Sequence, residues 1–183
     1  MRVYLSGSVK KGSTNSRSSS NFWTEDDEAL IVDQLGPDTV LLNPSKSPIQ
    51  RNDYFANYGC DLYLIYSSDV VLADLRREKG IGVGAELMFA RMCDKPIVSW
   101  VPQESHYRRS KVPNVFGEDL ENWVHPFAFG LSDALSETLA EACEIIAQRF
   151  SAGERAEEII SHSPAAAIEY FLKLYPHLEH NGT

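Results

Sequence analysis

Asp69-Val70-Val71-Leu72-Ala73-Asp74-Leu75 is a nearly unbroken apolar run set between two acids, and its reading decides the fold. A strand that alternates apolar and polar residues has one wet face; a continuous run such as this one is covered on both, as in parallel sheets. Working outward, similar short runs occur at Arg2 to Leu5, Thr39 to Leu42 and Ile97 to Val101, and Phe127 to Phe129 reads as a short last strand. Helical patterns lie between them. Thr24 caps a helix starting near Glu25, which Gly36-Pro37 ends. Asn52 to Tyr66 carries Tyr54, Phe55, Tyr58, Leu62 and Ile65 on one side, Glu86 to Met92 forms the next helix, and Ser132 to Phe150 is amphipathic. Gln103 to Gly117 reads as a polar loop with a basic knot at Tyr107 to Lys111. This order predicts an α/β domain with a three-layer, doubly wound, mainly parallel five-stranded sheet. The domain is expected to span residues 1–150, with 151–183 a helical C-terminal extension rather than an independent domain.

Composition narrows the function classes. The 183 residues are 43% hydrophobic and 23% charged, as in an ordinary globular protein. A formal net charge of -9 argues against a nucleic-acid surface, which needs a basic face. The three cysteines, Cys60, Cys93 and Cys143, form no CxxC pair, so reduced thiols in a cytoplasm are expected, with no metal site and no cofactor. No apolar run approaches the roughly 18 residues needed to cross a bilayer, and the strand-like opening at Val3-Tyr4-Leu5 leads to the expectation of no signal-like leader.

In a doubly wound sheet, ligands gather at the carboxyl edge of the strands. The loops after Leu5, Leu42, Leu75 and Val101 share that edge. One of them leads into Gly80-Ile81-Gly82-Val83-Gly84-Ala85-Glu86-Leu87, a glycine-rich turn entering a helix with a single carboxylate at its mouth. The helix N-terminus supplies unpaired N–H groups and partial positive charge, so Glu86 is expected to stay ionised at neutral pH, as a nucleophile must. Asp61 and Asp69 lie upstream, and Asp69 is expected to serve strand entry. The pattern suits attack on a sugar carbon better than dinucleotide binding, whose glycine fingerprint follows the first strand.

These residues resemble a known family. Val3-Tyr4-Leu5-Ser6-Gly7-Ser8-Val9-Lys10-Lys11-Gly12, then Asp61-Leu62 with Ser68-Asp69-Val70-Val71, then Gly82-Val83-Gly84-Ala85-Glu86-Leu87 are similar, in order and spacing, to the motifs of the 2'-deoxynucleoside 5'-monophosphate N-hydrolases. These belong to the wider nucleoside 2-deoxyribosyltransferase superfamily. The likeness covers roughly Arg2 to Val101. It implies an N-glycosidase that frees the base of a nucleoside or its 5'-monophosphate, with base exchange by a transferase and a non-catalytic nucleotide sensor as alternatives. Carried over by position, Glu86 is the nucleophile, Asp61 the second acid, and Tyr4 the residue that steers Glu86.

The resemblance also implies that Gly7, Ser8, Val9 and Lys10 wrap the nucleotide. Asp74, Gly80, Gly82 and Gly84 line the same edge. A neighbouring subunit completes the pocket in this superfamily, so a homodimer or larger assembly is expected, with Ser105, Ser110 or Arg108 reaching the neighbour's phosphate. One departure stands out. Gly80, with Lys79 beside it, falls where the hydrolases carry a phosphate-holding serine and the transferases an acid that receives a free 5'-hydroxyl. Without that acid, a 5'-phosphorylated substrate is favoured.

Overall fold

The computed structural model of the chain describes residues 1–8, 23–46, 53–76, 80–115, 117–150 and 164–174. Its centre is a five-stranded parallel sheet built from β1 (Arg2–Ser6), β2 (Val40–Leu42), β3 (Val70–Asp74), β4 (Ile97–Trp100) and a last strand, Ala134–Ser136. The spatial order is β2, β1, β3, β4 and the last strand. The direction of winding reverses between β1 and β3, whose register pairs Tyr4 with Val71 and Ser6 with Ala73. That reversal opens a crevice at the carboxyl ends of the two strands.

Side-chain alternation sends successive residues to opposite faces of the sheet. On one face Tyr4, Val71, Ala73 and Ile97 pack with Ile65 of α2 (Tyr54–Tyr66) and Val83, Leu87 and Ala90 of α3 (Ile81–Met92). On the other, Val3, Leu5, Val70, Leu72 and Val98 pack with Ile31 of α1 (Glu25–Leu35) and with Leu139, Ala142, Cys143 and Ile146 of a helix at Leu139–Phe150. These are the three layers expected, and β3 is buried along its whole length.

Local chemistry fixes the element ends. Thr24 and Asp27 form a reciprocal capping box at the start of α1, each side chain accepting from the other's backbone N–H at 3.1 Å. Gly36, at φ 99°, ends the helix in a conformation that disfavours a side chain. Asp69 accepts the Arg2 N–H at 2.7 Å and so joins the start of β3 to β1, the strand-entry role expected of it. Arg91, buried on α3, donates to Asp133 Oδ1 at 3.0 Å and to the Leu131 carbonyl at 2.6 Å, while Asp133 Oδ2 accepts the Ile97 N–H at 2.7 Å. This pair ties α3, β4 and the approach to the last strand together.

Four sequence expectations are corrected. The polar stretch after Gln103 forms a two-stranded antiparallel hairpin, β5 (Arg108–Val115) with β6 (Glu118–Val124). Phe127 to Phe129 is helical, inside α4 (Pro126–Leu131), where Pro126 occupies the first turn and suits its missing N–H. The last strand is instead β7 (Ala134–Ser136), and the amphipathic helix, α5, begins at Leu139 rather than Ser132. Helix α3 starts at Ile81, so Gly82 and Gly84 lie within it. The described part of the C-terminal extension is one helix, α6 (Pro164–Leu174), and the break expected near Ser161 to Pro164 falls largely outside the described residues. Among the described residues no helix is long and apolar enough to cross a membrane.

Gly7, just beyond β1, is required by close approach. A Cβ there would lie 2.9 Å from Trp23 Nε1 and 3.3 Å from the Asp74 Cβ. Trp23 has little freedom to retreat, since its Nε1 donates to the Ser6 carbonyl at 3.2 Å. Gly7→Ala is therefore expected to cost about 1–3 kcal/mol by overpacking. Chemical denaturation followed by tryptophan fluorescence measures the loss.

Candidate active site

The crevice between β1 and β3 gathers the residues that carry chemistry. Glu86 is the sixth residue of α3, more than one turn in, and its side chain reaches across to the end of β1. Ser6 Oγ donates to Glu86 Oε2 at 2.6 Å. Tyr4, two residues earlier and on the same side of the strand, is fully buried, and its hydroxyl acts on the same carboxyl without reaching full hydrogen-bond geometry. Asp61 approaches from α2, near enough for its charge to be felt by both Tyr4 and Glu86. Tyr4 on β1 and Asp61 on α2, two of the residues expected to be catalytic, are thus within electrostatic reach of Glu86 on α3.

Burial dominates the electrostatics. It raises the Glu86 carboxyl to about 7; the Ser6 hydrogen bond opposes the rise, the Asp61 charge adds to it, and Tyr4 opposes it. This corrects the expectation that a helix N-terminus keeps Glu86 fully ionised. The carboxyl lies too far along α3 for the terminal N–H groups to offset its desolvation. Burial also raises Asp61. Tyr4 is pushed well above the ordinary phenol range by burial, then by Glu86 and Asp61, so it keeps its proton and remains a donor.

Several substrate-binding candidates are placed as follows. Gly80 is the N-cap of α3 and donates its N–H to the Tyr107 hydroxyl at 3.3 Å. Gly82 lies one turn before Glu86, where a methyl would come within 3.8 Å of Oε1, while a methyl at Gly84 would meet open space. Ser8 follows Gly7 at the end of β1; Val9 and Lys10, like Lys79, lie outside the described residues. Ser110 is exposed on β5, and both its N–H and its hydroxyl bond to Glu104.

Asp74 is engaged within the chain. Its carboxylate accepts from Arg76 Nε at 2.9 Å and Nη2 at 2.8 Å, and from the Arg76 N–H at 3.0 Å. Arg76 Nη2 also reaches Asp27 Oδ2 at 3.1 Å, and the guanidinium lies 4.0 Å from the centre of the Trp100 ring. The cation is thus gripped by two carboxylates and stacked on one indole ring. Sequence reasoning did not single out Arg76. The signal available was a cation two residues past the acid that closes a buried strand, at the ligand edge.

A cavity of about 330 Å³ lies between the start of α3, Tyr107 of the hairpin approach, and α4, lined by Gly80, Ile81, Gly84, Leu87, Phe127 and Leu131 among others. Glu86, half-buried, does not line it; the carboxyl held against the end of β1, rather than this opening, marks the candidate site. Among the described residues no group of three or more His, Cys, Asp or Glu side chains is placed to hold a metal ion.

No protein-family model and no curated protein sequence matches the chain. Solved structures do. A 2-deoxyribosyltransferase from Leishmania mexicana superposes with a TM-score of 0.53 at 16% identity, over 80% of this chain and 97% of that one. A CMP N-glycosidase from Clostridium botulinum gives a TM-score of 0.44 at 13% identity, over 80% of this chain and 98% of that one. The chain shares the fold of the Leishmania 2-deoxyribosyltransferase, the three-layer α/β architecture expected from the sequence.

A raised carboxyl pKa is a statement about stability. Glu86 binds its proton more tightly folded than unfolded, so its contribution is complete below the unfolded value of 4.5 and is lost as pH rises through about 7. Glu86→Gln, which cannot ionise, should melt higher than the parent above pH 7, with the difference shrinking toward pH 4.5. Melting temperatures of the two proteins across that window test this.

Proposed function

We propose that the protein, starting from this fold, cleaves the N-glycosidic bond of a nucleoside or nucleoside 5'-monophosphate, releasing the base. The observation that carries the reading is the Glu86 carboxyl, desolvated at the switch point of the sheet and faced by Tyr4 and Asp61. Breaking such a bond builds positive charge on the sugar, in an oxocarbenium-like transition state. A carboxylate in a low-dielectric crevice stabilises that charge far better than one in water. Glu86 attacks C1', the C1'–N bond breaks, and its electron pair leaves with the base. Water then attacks C1' of the glycosyl ester, restoring the Glu86 carboxylate and freeing the sugar.

Asp61, itself raised by burial, holds the sugar or carries the proton that the leaving base and the incoming water exchange. Tyr4 donates toward Glu86 and keeps it aligned. Gly7 and Ser8 continue into the segment that wraps the nucleotide, together with Val9 and Lys10. Gly80, without a side chain, presents no negative charge to a 5'-phosphate. Asp74 acts through Arg76, holding its guanidinium over Trp100. The fold shared with a 2-deoxyribosyltransferase supports a second reading in which another base replaces water in the second step. Adding a free base to the reaction separates the two, since exchange yields a new nucleoside.

Assembly belongs to the same reading. Tyr54, Phe55 and Tyr58 are exposed on α2, the helix that carries Asp61. Their exposure supports a homo-oligomer with shared sites, in which Ser110 of one copy serves another. Residues 1–150 are read as the working domain and 151–183 as its extension.

Incubation with a panel of nucleosides and their 5'-monophosphates, with free bases separated by chromatography, tests the proposal. Base release is expected, and Glu86→Ala should reduce it by more than about 10³-fold with the fold intact. Because the nucleophile must be ionised, kcat/KM should climb with pH through about 7. Undiminished turnover by the alanine variant, or a panel that yields no base, rejects the reading.

A further inference from the structure

We propose that Ser6 is the positioning residue for Glu86, holding one carboxylate oxygen so that the other is presented to the sugar carbon; this rests on the reading of Glu86 as the nucleophile. The contact joins residues 80 positions apart, at 2.6 Å between Ser6 Oγ and Glu86 Oε2. An O–H···O bond this short to a carboxylate is of the charge-assisted kind.

The backbone that carries the Ser6 hydroxyl is fixed. Ser6 is fully buried, paired with Ala73 in the ladder between β1 and β3, and its carbonyl is held by Trp23 Nε1 at 3.2 Å. The two Glu86 oxygens are therefore unequal. Oε2 accepts from Ser6, whereas Oε1 lies toward Gly82, where the missing side chain leaves an approach clear. A nucleophilic carboxylate attacks through one oxygen, and fixing its plane beforehand removes an entropic part of the barrier.

The same bond favours the ionised carboxyl, against the burial that favours the neutral one. Among the described residues, the other titratable groups acting on Glu86 are Tyr4 from β1 and Asp61 from α2, with Cys60 acting in turn on Tyr4. A change at Ser6 leaves all three side chains in place.

The experiment titrates the Glu86 carboxyl directly by ¹³C NMR in protein labelled at the glutamate carboxyl carbon, assigned by the signal lost in Glu86→Gln, without substrate. Ser6→Ala removes the donor; Ser6→Cys keeps the volume with a much weaker donor. Both should titrate about one pH unit higher than the parent. The acid limb of kcat/KM should move by the same amount, and kcat should fall more than KM changes. An unshifted midpoint in both variants overturns the role of Ser6, even where Glu86→Gln is inactive. Base release retained by Glu86→Gln instead overturns the underlying reading, and the positioning role with it.

Discussion

Desolvation of one carboxyl is the constraint around which this molecule is arranged. Glu86 loses water by being packed against the end of β1, and its preference shifts toward the neutral form. Two hydroxyls work the other way, Ser6 by a short hydrogen bond and Tyr4 by proximity. The balance places the group near neutrality. There it is available in either protonation state, in a crevice where a charge on a ligand would be felt strongly. A surface carboxylate would be ionised at no cost and would interact weakly with everything.

Holding that balance requires rigid neighbours, and the fold supplies them on both sides of the sheet. Tyr4 and Ser6 sit on a strand flanked by β2 and β3, and α3 is fixed from beneath by Val83, Leu87 and Ala90 in the core. Its far end is anchored by Arg91, whose partner Asp133 also caps the first residue of β4. At the rim, Arg76 joins Asp74 to Asp27 of the α1 capping box and lies on Trp100. Removing one member of such a partly buried charged group leaves the others less well compensated. The rim is thus built to resist rearrangement.

The sheet was legible in the sequence because its strands are buried on both faces. A continuous apolar run such as Val70 to Ala73, too short for a helix and closed by an acid at each end, suits a covered parallel strand and little else. The hairpin was not legible, because β5 and β6 are polar and half-exposed, with Asn114, Gly117 and Asn122 in left-handed backbone that interrupts any period-two pattern. Gly82 and Gly84 pointed to a turn, since each disfavours a helix by about 1 kcal/mol relative to alanine. Packing of Val83 and Leu87 into the core overrides that preference and carries the helix back to Ile81. This one shift also accounts for the misjudged ionisation of Glu86. That Tyr4 and Asp61 lie within electrostatic reach of Glu86 could be expected only from the order of family motifs, because no local pattern links three elements. Arg76 and the Ser6 contact needed coordinates, since both depend on partners far away in the chain.

The most direct test is whether a sugar becomes bonded to Glu86. A nucleoside 5'-monophosphate bearing a 2'-fluorine, which slows breakdown of the glycosyl ester, would be incubated with the protein, quenched in acid and mapped by peptide mass spectrometry. The expected result is a sugar-phosphate adduct on the peptide containing Glu86, matched by an equivalent of released base. Base release with the adduct on another residue, or with the Glu86 peptide unmodified throughout, would contradict a nucleophilic role for this carboxyl.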